Sequence, residues 1–367
     1  MMKKFQQILT LALSLGFLAV FSAWFLIAPD AEESTVERRR LAKRPALSFS
    51  SVTNGRFMNG FEKYMLDQFP LRNGFRGLKA TVSAKVFMKK DNNGLYSVGE
   101  HLSKLDFPTD SESVDHAARR FRYVYDTYLR NAGTKTYLSV IPDKNTFIAS
   151  QNGYPDKDYK ALTERLRSGF PEAKYIDISG LLSADDFYYT DSHWRQERIT
   201  KVADEIAAQM GAERIGTCEV QDTGRPFYGV YYGQAALPHA PERLFYLDNA
   251  VIRGLKVYNV ETQSDIPVYD LGAAAGRDPY EMFLGGARSI IKITNPNAAQ
   301  ERRLIVFRDS FGSSIAPLLA AGYSEITLVD IRYISPLSLG KLIDFTKADD
   351  VLFLYSASVI NNSETIK

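Results

Sequence analysis

The residue types in this sequence that could do covalent chemistry together are a serine, a histidine and an aspartate. Ser310 stands in the segment Leu-Ile-Val-Phe-Arg-Asp-Ser-Phe-Gly at 304–312, where an apolar run meets a small polar turn. The pattern predicts a buried strand, a sharp turn and a helix over 313–321. A serine at such a junction lies beside the positive end of a helix, which stabilises negative charge and favours a nucleophile. An equally good explanation is that Asp309 and Ser310 only cap the helix.

A base for this serine is available in the segment Tyr-Tyr-Thr-Asp-Ser-His-Trp at 188–194. Asp191 can hydrogen-bond one ring nitrogen of His193 and leave the other free to accept a serine proton. We therefore expect the two side chains to meet Ser310 at the carboxyl edge of a sheet. The alternative is that His193 only packs beside Trp194. The remaining histidines have no acidic or hydroxyl partner in a comparable strand, turn and helix pattern, and are interpreted as surface or core residues: His101, His116 and His239.

Length and composition limit the class of protein. A chain of 367 residues exceeds one typical domain, so two units or one enlarged domain are expected. The 45 basic and 43 acidic residues nearly balance, which gives no argument for a nucleic-acid partner. Cys218 is the only cysteine, which excludes an intramolecular disulfide and a zinc site built on cysteines. No cofactor or metal is predicted.

The N-terminus predicts a membrane anchor over 1–30. Residues 8–28 form an almost unbroken apolar run after Lys3 and Lys4, long enough to cross a hydrocarbon layer of about 30 Å. The run exceeds the apolar part of a usual signal peptide and lacks a clear cleavage site, which favours a retained anchor over a removed leader. Basic residues between 38 and 44 oppose an outside location by the positive-inside rule. The orientation signal is therefore mixed, because Glu32 and Glu33 intervene and a long C-terminal domain can be translocated despite nearby charge. The expectation of an extracytoplasmic main domain rests on the family resemblance given below.

Two regions follow the anchor. From residue 37 to about 88 the chain alternates basic and apolar side chains, at roughly helical spacing from Gly60 onward and with breaks at Pro70 and Gly74. This pattern predicts a helical membrane-proximal segment over 31–100. Residues 101–367 alternate predicted helices and strands, which favours an α/β fold with a parallel sheet covered by helices on both faces. Short segments rich in Tyr, Gly and Pro over about 211–303 are interpreted as a β-rich insertion. Helices are predicted at 114–129, 159–166, 196–210, 313–321 and 336–345, and strands at 136–141, 175–178, 304–307, 326–329 and 351–355.

The order of strand, Arg-Asp-Ser-Phe-Gly, helix, strand and then Tyr355-Ser356 resembles the first blocks of SGNH-type hydrolases, and Asp-Ser-His-Trp at 191–194 resembles their last block. In ordinary members the serine block comes first, so the resemblance implies a circularly permuted SGNH-like domain. This order resembles the DHHW family and the AlgX/AlgJ-type proteins, which O-acetylate alginate and other exopolysaccharides outside the cytoplasm. Further segments are similar to the same family: Phe-Pro-x-Arg at 69–72, Pro-Asp-Lys at 142–144, Phe-Leu-Gly-Gly at 283–286 and Val-Asp-Ile-Arg-Tyr at 329–333.

The sequence departs from the family pattern at two places. The second position of the family's name motif is histidine, and here it is Ser192, which we interpret as a change at a non-catalytic position. The Gly and Asn of the usual oxyanion hole are replaced, so the Ser310 backbone N–H and Arg332 become the predicted donors. For Arg332, an ion pair with Asp330 is an equally good alternative. Other residues predicted near the oxyanion or the substrate are Tyr333, Ser356, Trp194 and Tyr280, with Asn361 and Asn362 as weaker candidates. Aromatic residues of the insertion suit sugar stacking, although core packing is favoured for most of them: Tyr228, Tyr231, Tyr232 and Tyr280.

The expected chemistry is acyl transfer through a serine acyl-enzyme, with Ser310, His193 and Asp191 as catalytic residues. The resemblance implies an O-acetyltransferase that acts on hydroxyls of an exopolysaccharide or cell-wall polymer outside the cytoplasm. It also implies a membrane-bound O-acyltransferase as the partner that supplies the acyl group. Two alternatives remain open: a polysaccharide acetyl-esterase, in which water intercepts the acyl-enzyme, and a non-catalytic carbohydrate-binding scaffold of an export complex.

Overall fold

The computed structural model describes residues 2–367 and divides the chain into two compact units. The first unit comprises the chain up to Asn92 together with Tyr232–Pro238, and the second comprises Asn93–Tyr231 and His239–Lys367. The boundary lies slightly before the predicted division at 100, because residues 95–104 form a hairpin that belongs to the second unit. Part of the predicted insertion, residues 232–238, belongs to the first unit.

Regular structure covers both units. The α-helices are α1 (Met2–Ile27), α2 (Phe49–Thr53), α3 (Arg56–Gln68), α4 (Arg72–Lys85), α5 (Ser111–Val124), α6 (Asn145–Ile148), α7 (Tyr159–Gly169), α8 (Thr200–Met210), α9 (Val230–Ala235), α10 (Ala250–Gly254), α11 (Gly312–Leu319) and α12 (Ala357–Asn361). The strands are β1 (Glu33–Ser34), β2 (Arg39–Arg40), β3 (Leu95–Val98), β4 (His101–Lys104), β5 (Lys135–Ile141), β6 (Lys174–Tyr175), β7 (Glu219–Phe227), β8 (Glu242–Asp248), β9 (Lys256–Asn259), β10 (Ser264–Ile266), β11 (Ile290–Thr294), β12 (Arg303–Arg308), β13 (Glu325–Val329) and β14 (Asp350–Ser356).

The first unit contains the long apolar helix α1 and two shorter helices, α3 and α4, joined by a turn. By length and composition α1 could cross a membrane over Lys3–Ile27, a property that a signal sequence shares. The chain turns between α3 and α4 at Pro70 and at Leu71, whose φ of 56° is left-handed. Asp67 at the end of α3 accepts hydrogen bonds of 2.8 and 2.5 Å from the Arg39 guanidinium. This ion pair ties the segment after α1 to α3.

The second unit is organised around an eight-stranded sheet in the order β10-β9-β11-β13-β12-β14-β5-β6. The strands β13, β12, β14, β5 and β6 run parallel. The strands β11, β9 and β10 extend the sheet antiparallel. Phe307 of β12 pairs with Val329 of β13 and with Phe353 of β14, so the carboxyl ends of these three strands meet at one edge.

The core consists of two layers, one on each face of this sheet. Because successive side chains of a strand point to opposite faces, β12 contributes Leu304 and Val306 to one layer and Ile305 and Phe307 to the other. The first layer also contains apolar residues of α8 and α11, and the second contains apolar residues of α5 and α7. A sheet covered by helices on both faces was expected from the alternating pattern, and the structure confirms a mixed α/β fold.

Three predicted elements differ from the structure. The predicted strand at 175–178 is reduced to Lys174–Tyr175, since only two of its residues pair with β5. The predicted helix at 336–345 is replaced by short 3-10 turns, Pro336–Lys341 and Phe345–Lys347, with Asp344 capping the second. The predicted insertion is only partly separate: β7 and β8 form their own hairpin, whereas β9, β10 and β11 join the main sheet.

Candidate active site

Ser310 lies in the turn between β12 and α11, as the sequence predicts. Asp309 is fully buried, and its carboxylate accepts hydrogen bonds from the Phe311 N–H at 3.0 Å and from the Ser356 N–H at 2.8 Å. These bonds fix the turn to the carboxyl end of β14. The N-cap residue of α11 is Phe311, and no side chain caps this helix, so neither Asp309 nor Ser310 has the capping role that was the alternative. The Ser310 hydroxyl instead lies 2.7 Å from Nε2 of His193.

A glycine after the turn lets α11 approach β12 closely. A Cβ added to Gly312 would lie 2.6 Å from Cβ of Arg308. This distance is too short for two carbon atoms, so the close approach needs glycine. Every residue of α11 is buried, which holds the turn between the strand and the helix.

The histidine loop, defined as residues 187–195, brings the second and third predicted residues to Ser310. His193 Nδ1 lies 2.6 Å from Oδ1 of Asp191, and His193 Nε2 lies 2.7 Å from Oγ of Ser310. The His193 backbone N–H also donates to Asp191 at 3.1 Å. Because a carboxylate only accepts hydrogen bonds, the ring proton belongs on Nδ1, and Nε2 is left to accept from the serine hydroxyl. The three side chains thus form one continuous hydrogen-bond chain.

The His193 ring is held between aromatic side chains. It stacks on Tyr280 with ring centroids 3.8 Å apart and an interplanar angle of 12°, and it contacts Phe311 at 4.9 Å. The Tyr280 hydroxyl and the Trp194 indole N–H each bond Ser314 of α11 at 2.8 Å. Burial raises the pKa of Tyr280, so the phenol stays protonated and donates to Ser314. Trp194 is fully buried and supports the loop from inside the core.

A buried lysine holds the histidine loop in place through three backbone carbonyls. Lys144 Nζ donates to the backbone carbonyls of Tyr188, Tyr189 and Asp191 at 2.7, 3.0 and 2.9 Å. An ammonium group has three donors, so these three acceptors match its protonated form. Burial lowers the pKa of Lys144 to about 7, and the negative charges of Glu242 and Asp191 oppose that shift.

A buried glutamate fastens the same loop through its backbone amides. Glu242 accepts from the N–H groups of Tyr189 and Thr190 at 2.7 and 2.8 Å, and from the Arg195 guanidinium at 2.7 Å. The Thr190 hydroxyl also donates to Glu242 at 2.8 Å. Amides and carbonyls of the loop are therefore both tied to fixed side chains.

A third support comes from the backbone of residues 229–231. The Val230 N–H donates to Oδ2 of Asp191 at 2.8 Å, and the Tyr231 N–H donates to the Thr190 carbonyl at 3.0 Å. A Cβ added to Gly229 would lie 2.2 Å from the Thr190 carbonyl oxygen. Only glycine permits this close approach. The approach places the Val230 N–H where it holds the second carboxylate oxygen of Asp191.

Arg332, predicted as an oxyanion donor, forms the ion pair that was the alternative. Its Nε and Nη2 donate to the two carboxylate oxygens of buried Asp330 at 2.9 and 2.7 Å. Burial lowers the pKa of Arg332, but the hydrogen bonds and charge of Asp330 outweigh it, so the net shift is upward. Tyr333 is 51% exposed beside this pair.

The remaining predicted residues serve as local supports. The Ser356 side chain accepts from the Val359 N–H and caps α12, which accounts for its hydroxyl without a substrate. The Asn361 side chain bonds Asp106 and the backbone of residues 108 and 110, and Asn362 bonds Asp106 and Ser358. The Ser192 hydroxyl donates to Oδ1 of Asp191 at 3.4 Å. Its interpretation as a non-catalytic position stays a prediction.

The supports of the histidine loop were the part that sequence reasoning missed. Lys144 belongs to the Pro-Asp-Lys segment, for which the sequence predicted only a family resemblance and no role. The sequence around Glu242 and Gly229 gave no indication of their role, since their partners lie far away along the chain. Within residues 2–367, no group of three or more His, Cys, Asp or Glu side chains is arranged to hold a metal ion.

No family model matches the sequence, and no curated protein matches it. Solved structures do match. A DHHW family protein from Eubacterium siraeum DSM 15702 has a TM-score of 0.60 and 19% identity, over 75% of this chain and 95% of that chain. Bacillus cereus PatB1 with a sulfonyl adduct has a TM-score of 0.60 and 18% identity, over 72% of this chain and 95% of that chain. The protein therefore has the fold of these structures, which confirms at the level of the fold the DHHW resemblance drawn from the motifs.

A looser likeness extends to the O-acetyltransferase domain of Pseudomonas putida AlgJ. It has a TM-score of 0.46 and 14% identity, over 73% of this chain and 92% of that chain. This overlap is too low to support a conclusion about fold or activity.

Proposed function

We propose that this protein is an O-acetyltransferase that forms an acyl-enzyme on Ser310 and passes the acetyl group to hydroxyls of an extracytoplasmic polysaccharide. The observation that carries the proposal is the hydrogen-bond chain from Asp191 through His193 to Ser310, with distances of 2.6 and 2.7 Å. The fold shared with a DHHW family protein supports it. The substrate class rests on the resemblance of the motifs to proteins that acetylate exopolysaccharides.

The residues perform the transfer in two half-reactions. In the first, Nε2 of His193 takes the Ser310 proton, Oγ bonds to the carbonyl carbon of an acetyl donor, and the donor's leaving atom departs with the proton from Nε2. In the second, a sugar hydroxyl gives its proton to Nε2 and attacks the acetyl-serine, and Ser310 recovers the proton as its ester bond breaks. Asp191 keeps the ring in the required tautomer and stabilises the imidazolium that forms twice.

When Ser310 Oγ adds to the acetyl carbonyl, the carbonyl oxygen becomes an oxyanion that needs a hydrogen-bond donor nearby. The proposed donor is the Ser310 backbone N–H, since it belongs to the turn that precedes the N-terminus of α11. Arg332 is the second choice, because its guanidinium would have to leave Asp330 before it could reach an oxyanion. Under this proposal the Asp-x-His segment preceding the serine makes the domain a circular permutation of the usual SGNH order.

The direction of transfer separates the proposal from its alternatives. Purified full-length protein is incubated with a soluble acetyl ester and an oligosaccharide with free hydroxyls, and products are analysed by mass spectrometry. The transferase predicts acetylated sugar, which Ser310→Ala abolishes and Ser168→Ala, at an exposed serine of α7, preserves. An esterase gives only free acetate, and a scaffold binds the sugar without releasing acetate.

The proposed location is outside the cytoplasmic membrane, with α1 as a retained anchor and a membrane-bound O-acyltransferase as acetyl source. The apolar segment Lys3–Ile27 supports a membrane span. An alkaline phosphatase fused after the last residue should be active, and a fluorescent protein that folds only in the cytoplasm should be dark. The reverse pattern would rule out an extracellular polymer as substrate.

A further inference from the structure

The first unit leaves an apolar face uncovered on α4 and on the turn before it. Leu71 and Leu78 are each 60% exposed, and Phe75 is 36% exposed. Residues spaced by four and then three positions lie on one side of a helix. Single exposed apolar residues are common, whereas a continuous apolar face marks an interaction surface. We call Leu71, Phe75 and Leu78 the α4 face.

Contacts with α1 fix where this face lies. The Phe21 ring of α1 stacks on Phe69 at 5.5 Å and meets Phe75 edge-on at 5.6 Å. Phe25 contacts Tyr64 of α3 at 5.4 Å, and the Tyr64 hydroxyl donates to Asp30 at 2.7 Å. The start of α4 therefore packs beside the last turns of the apolar helix.

The length of α1 sets the depth of these contacts in a bilayer. The apolar segment Lys3–Ile27 has 25 residues, which gives about 37 Å at 1.5 Å per residue against a hydrocarbon layer of about 30 Å. Phe21 lies about 9 Å before the end of this segment by the same rise. If α1 is centred across the membrane, it projects about 3 to 4 Å on each side, so the Phe21 level lies about 5 Å inside the hydrocarbon, near the outer ends of the acyl chains. Phe75 meets the Phe21 ring edge-on at that level.

Charge around the α4 face suits an anionic lipid surface. Residues 56–90 contain eight basic and two acidic side chains. Arg72 and Arg76 pair with Glu37, so the remaining excess of positive charge comes mainly from lysines. The segment directly after α4 is Lys-Val-Phe-Met-Lys-Lys at 85–90, and its apolar residues Val86, Phe87 and Met88 are 67, 68 and 77% exposed. Apolar side chains flanked by lysines are typical of segments that insert at the interface while the ammonium groups stay among the phosphates.

We propose that α4 and residues 86–88 lie in the headgroup layer of the outer bilayer surface, with the α4 face directed at the acyl chains. The ligand of this surface is anionic lipid. The inference rests on the proposed membrane span of α1 and goes beyond it, because it assigns a second membrane contact to the region that the sequence predicts only as a helical membrane-proximal segment. The acetyltransferase chemistry plays no part in it.

Site-specific fluorescence in lipid vesicles tests the inference. The full chain, with Cys218→Ala to remove the native thiol, receives one cysteine by Leu78→Cys, Asn73→Cys or Leu18→Cys and is labelled with an NBD dye. Asn73 is the matched control, since it is exposed on the opposite side of α4. Leu18 lies inside α1 and reports the span itself. Vesicles contain phosphatidylcholine, phosphatidylglycerol and a lipid spin-labelled near the top of its acyl chain.

The expected result is strong quenching at 78 and 18 and weak quenching at 73. Removal of phosphatidylglycerol should weaken quenching at 78 and leave it unchanged at 18. Equally weak quenching at 78 and 73, with 18 quenched, would overturn the inference, leave the anchor standing and point to a protein as the occupant of the α4 face. Quenching at none of the three positions would overturn the membrane span and this inference with it, while leaving the acetyltransferase proposal untouched.

Discussion

Ser310 follows a regular strand and precedes a regular helix, whereas His193 stands in a loop without a strand or α-helix of its own. The serine turn is positioned mainly by the two elements next to it in sequence, β12 and α11. The Asp309 carboxylate adds one local bond, from the Phe311 N–H, and one distant bond, from the Ser356 N–H. The histidine loop is positioned by groups distant in sequence. Lys144 lies 47 residues before Asp191, and Glu242 lies 52 residues after Thr190.

This difference shows two ways in which the fold can position the proposed catalytic pair. A turn between a buried strand and a buried helix is rigid because both ends are packed in the core. A loop can reach similar rigidity only if its backbone groups are bonded to fixed partners, and here buried side chains provide them. Variants of the loop's supports should therefore impair the reaction although they never touch a substrate.

The largest effect is expected from the hydrogen-bond chain itself. His193→Ala should reduce turnover of a soluble acetyl ester nearly to background, because a serine hydroxyl is a poor nucleophile without a base. Asp191→Asn should keep the fold and lose about 10⁴-fold in kcat, as the equivalent change does in a serine protease, because the ring then favours the wrong tautomer. Initial rates with matched circular dichroism spectra measure both. An Asp191→Asn protein with the wild-type kcat would show that the carboxylate has no catalytic role.

The next effect comes from the glycine that lies against the loop. In Gly229→Ala the new Cβ would meet the Thr190 carbonyl at 2.2 Å, so the loop must shift and carry the Asp191 carboxylate away from His193. A displacement of about 1 Å can cost about 10²-fold in rate, and kcat should fall by that order. Gly180→Ala is the matched control, since its added Cβ meets nothing within 4 Å. Equal kcat in the two variants would contradict a loop fixed by close contact.

The third test concerns pH and the buried lysine. Burial lowers the pKa of Lys144 to about 7, whereas in the unfolded chain it lies near 10.5. Between these values the unfolded chain binds a proton that the folded protein has lost, so this group's contribution to the unfolding free energy rises with pH. The burial of Lys144 destabilises the folded protein most below pH 7, where the buried ammonium group is charged.

Urea unfolding of wild type and Lys144→Met at pH 6, 7, 8 and 9 measures this linkage. The unfolding free energy of the wild type minus that of the variant should increase above pH 7, by at most about 1.4 kcal/mol per pH unit. The variant should also lose kcat at pH 6, because three loop carbonyls lose their donor. Lys174→Met, at a mostly exposed lysine of β6, should show neither effect. A difference that stays flat from pH 6 to 9 would mean that Lys144 titrates as it does in water.

The smallest effect is expected from the ring that stacks on His193. Tyr280→Phe keeps the stacking contact and removes only the bond to Ser314, so it should cost about 1 kcal/mol in stability and change kcat less than the other variants. Tyr280→Ala removes the stacked ring as well and should lower kcat further. Thermal unfolding and initial rates distinguish the two. If Tyr280→Phe inactivated the protein while leaving it folded, the hydroxyl itself would be part of the reaction.

The same contrast explains what could be predicted from the sequence. The buried strand, the turn and the helix around Ser310 were visible because an apolar run, a polar turn and helical spacing follow one another directly. The parallel strands β12, β13 and β14 were found within one or two residues for this reason. The antiparallel addition of β9, β10 and β11 was not, since pairing between short strands depends on register and not on a local pattern.

The site divides in the same way. Asp191 and His193 were recognised from their spacing of two, and the pairing of His193 with Ser310 was expected from residue chemistry. For Arg332 the residue type was equally compatible with an oxyanion donor and with an ion pair. Only the structure shows its two hydrogen bonds to the Asp330 carboxylate. Lys144 bonds only backbone carbonyls, which carry no residue-specific signal. Glu242 bonds backbone amides together with Arg195 and Thr190, but these partners lie about 50 residues away along the chain, so neither role could be predicted.

The central claim is that Ser310 carries the acetyl group between donor and acceptor. Acid quenching of wild-type protein during turnover of an acetyl ester, followed by proteolysis and mass spectrometry, measures it directly. The account predicts one acetyl group on the peptide that contains Ser310, lost when an oligosaccharide acceptor is added before the quench and absent in Ser310→Ala. A folded Ser310→Ala protein that transfers acetyl at the wild-type rate, or an acetyl group found on another residue, would contradict it.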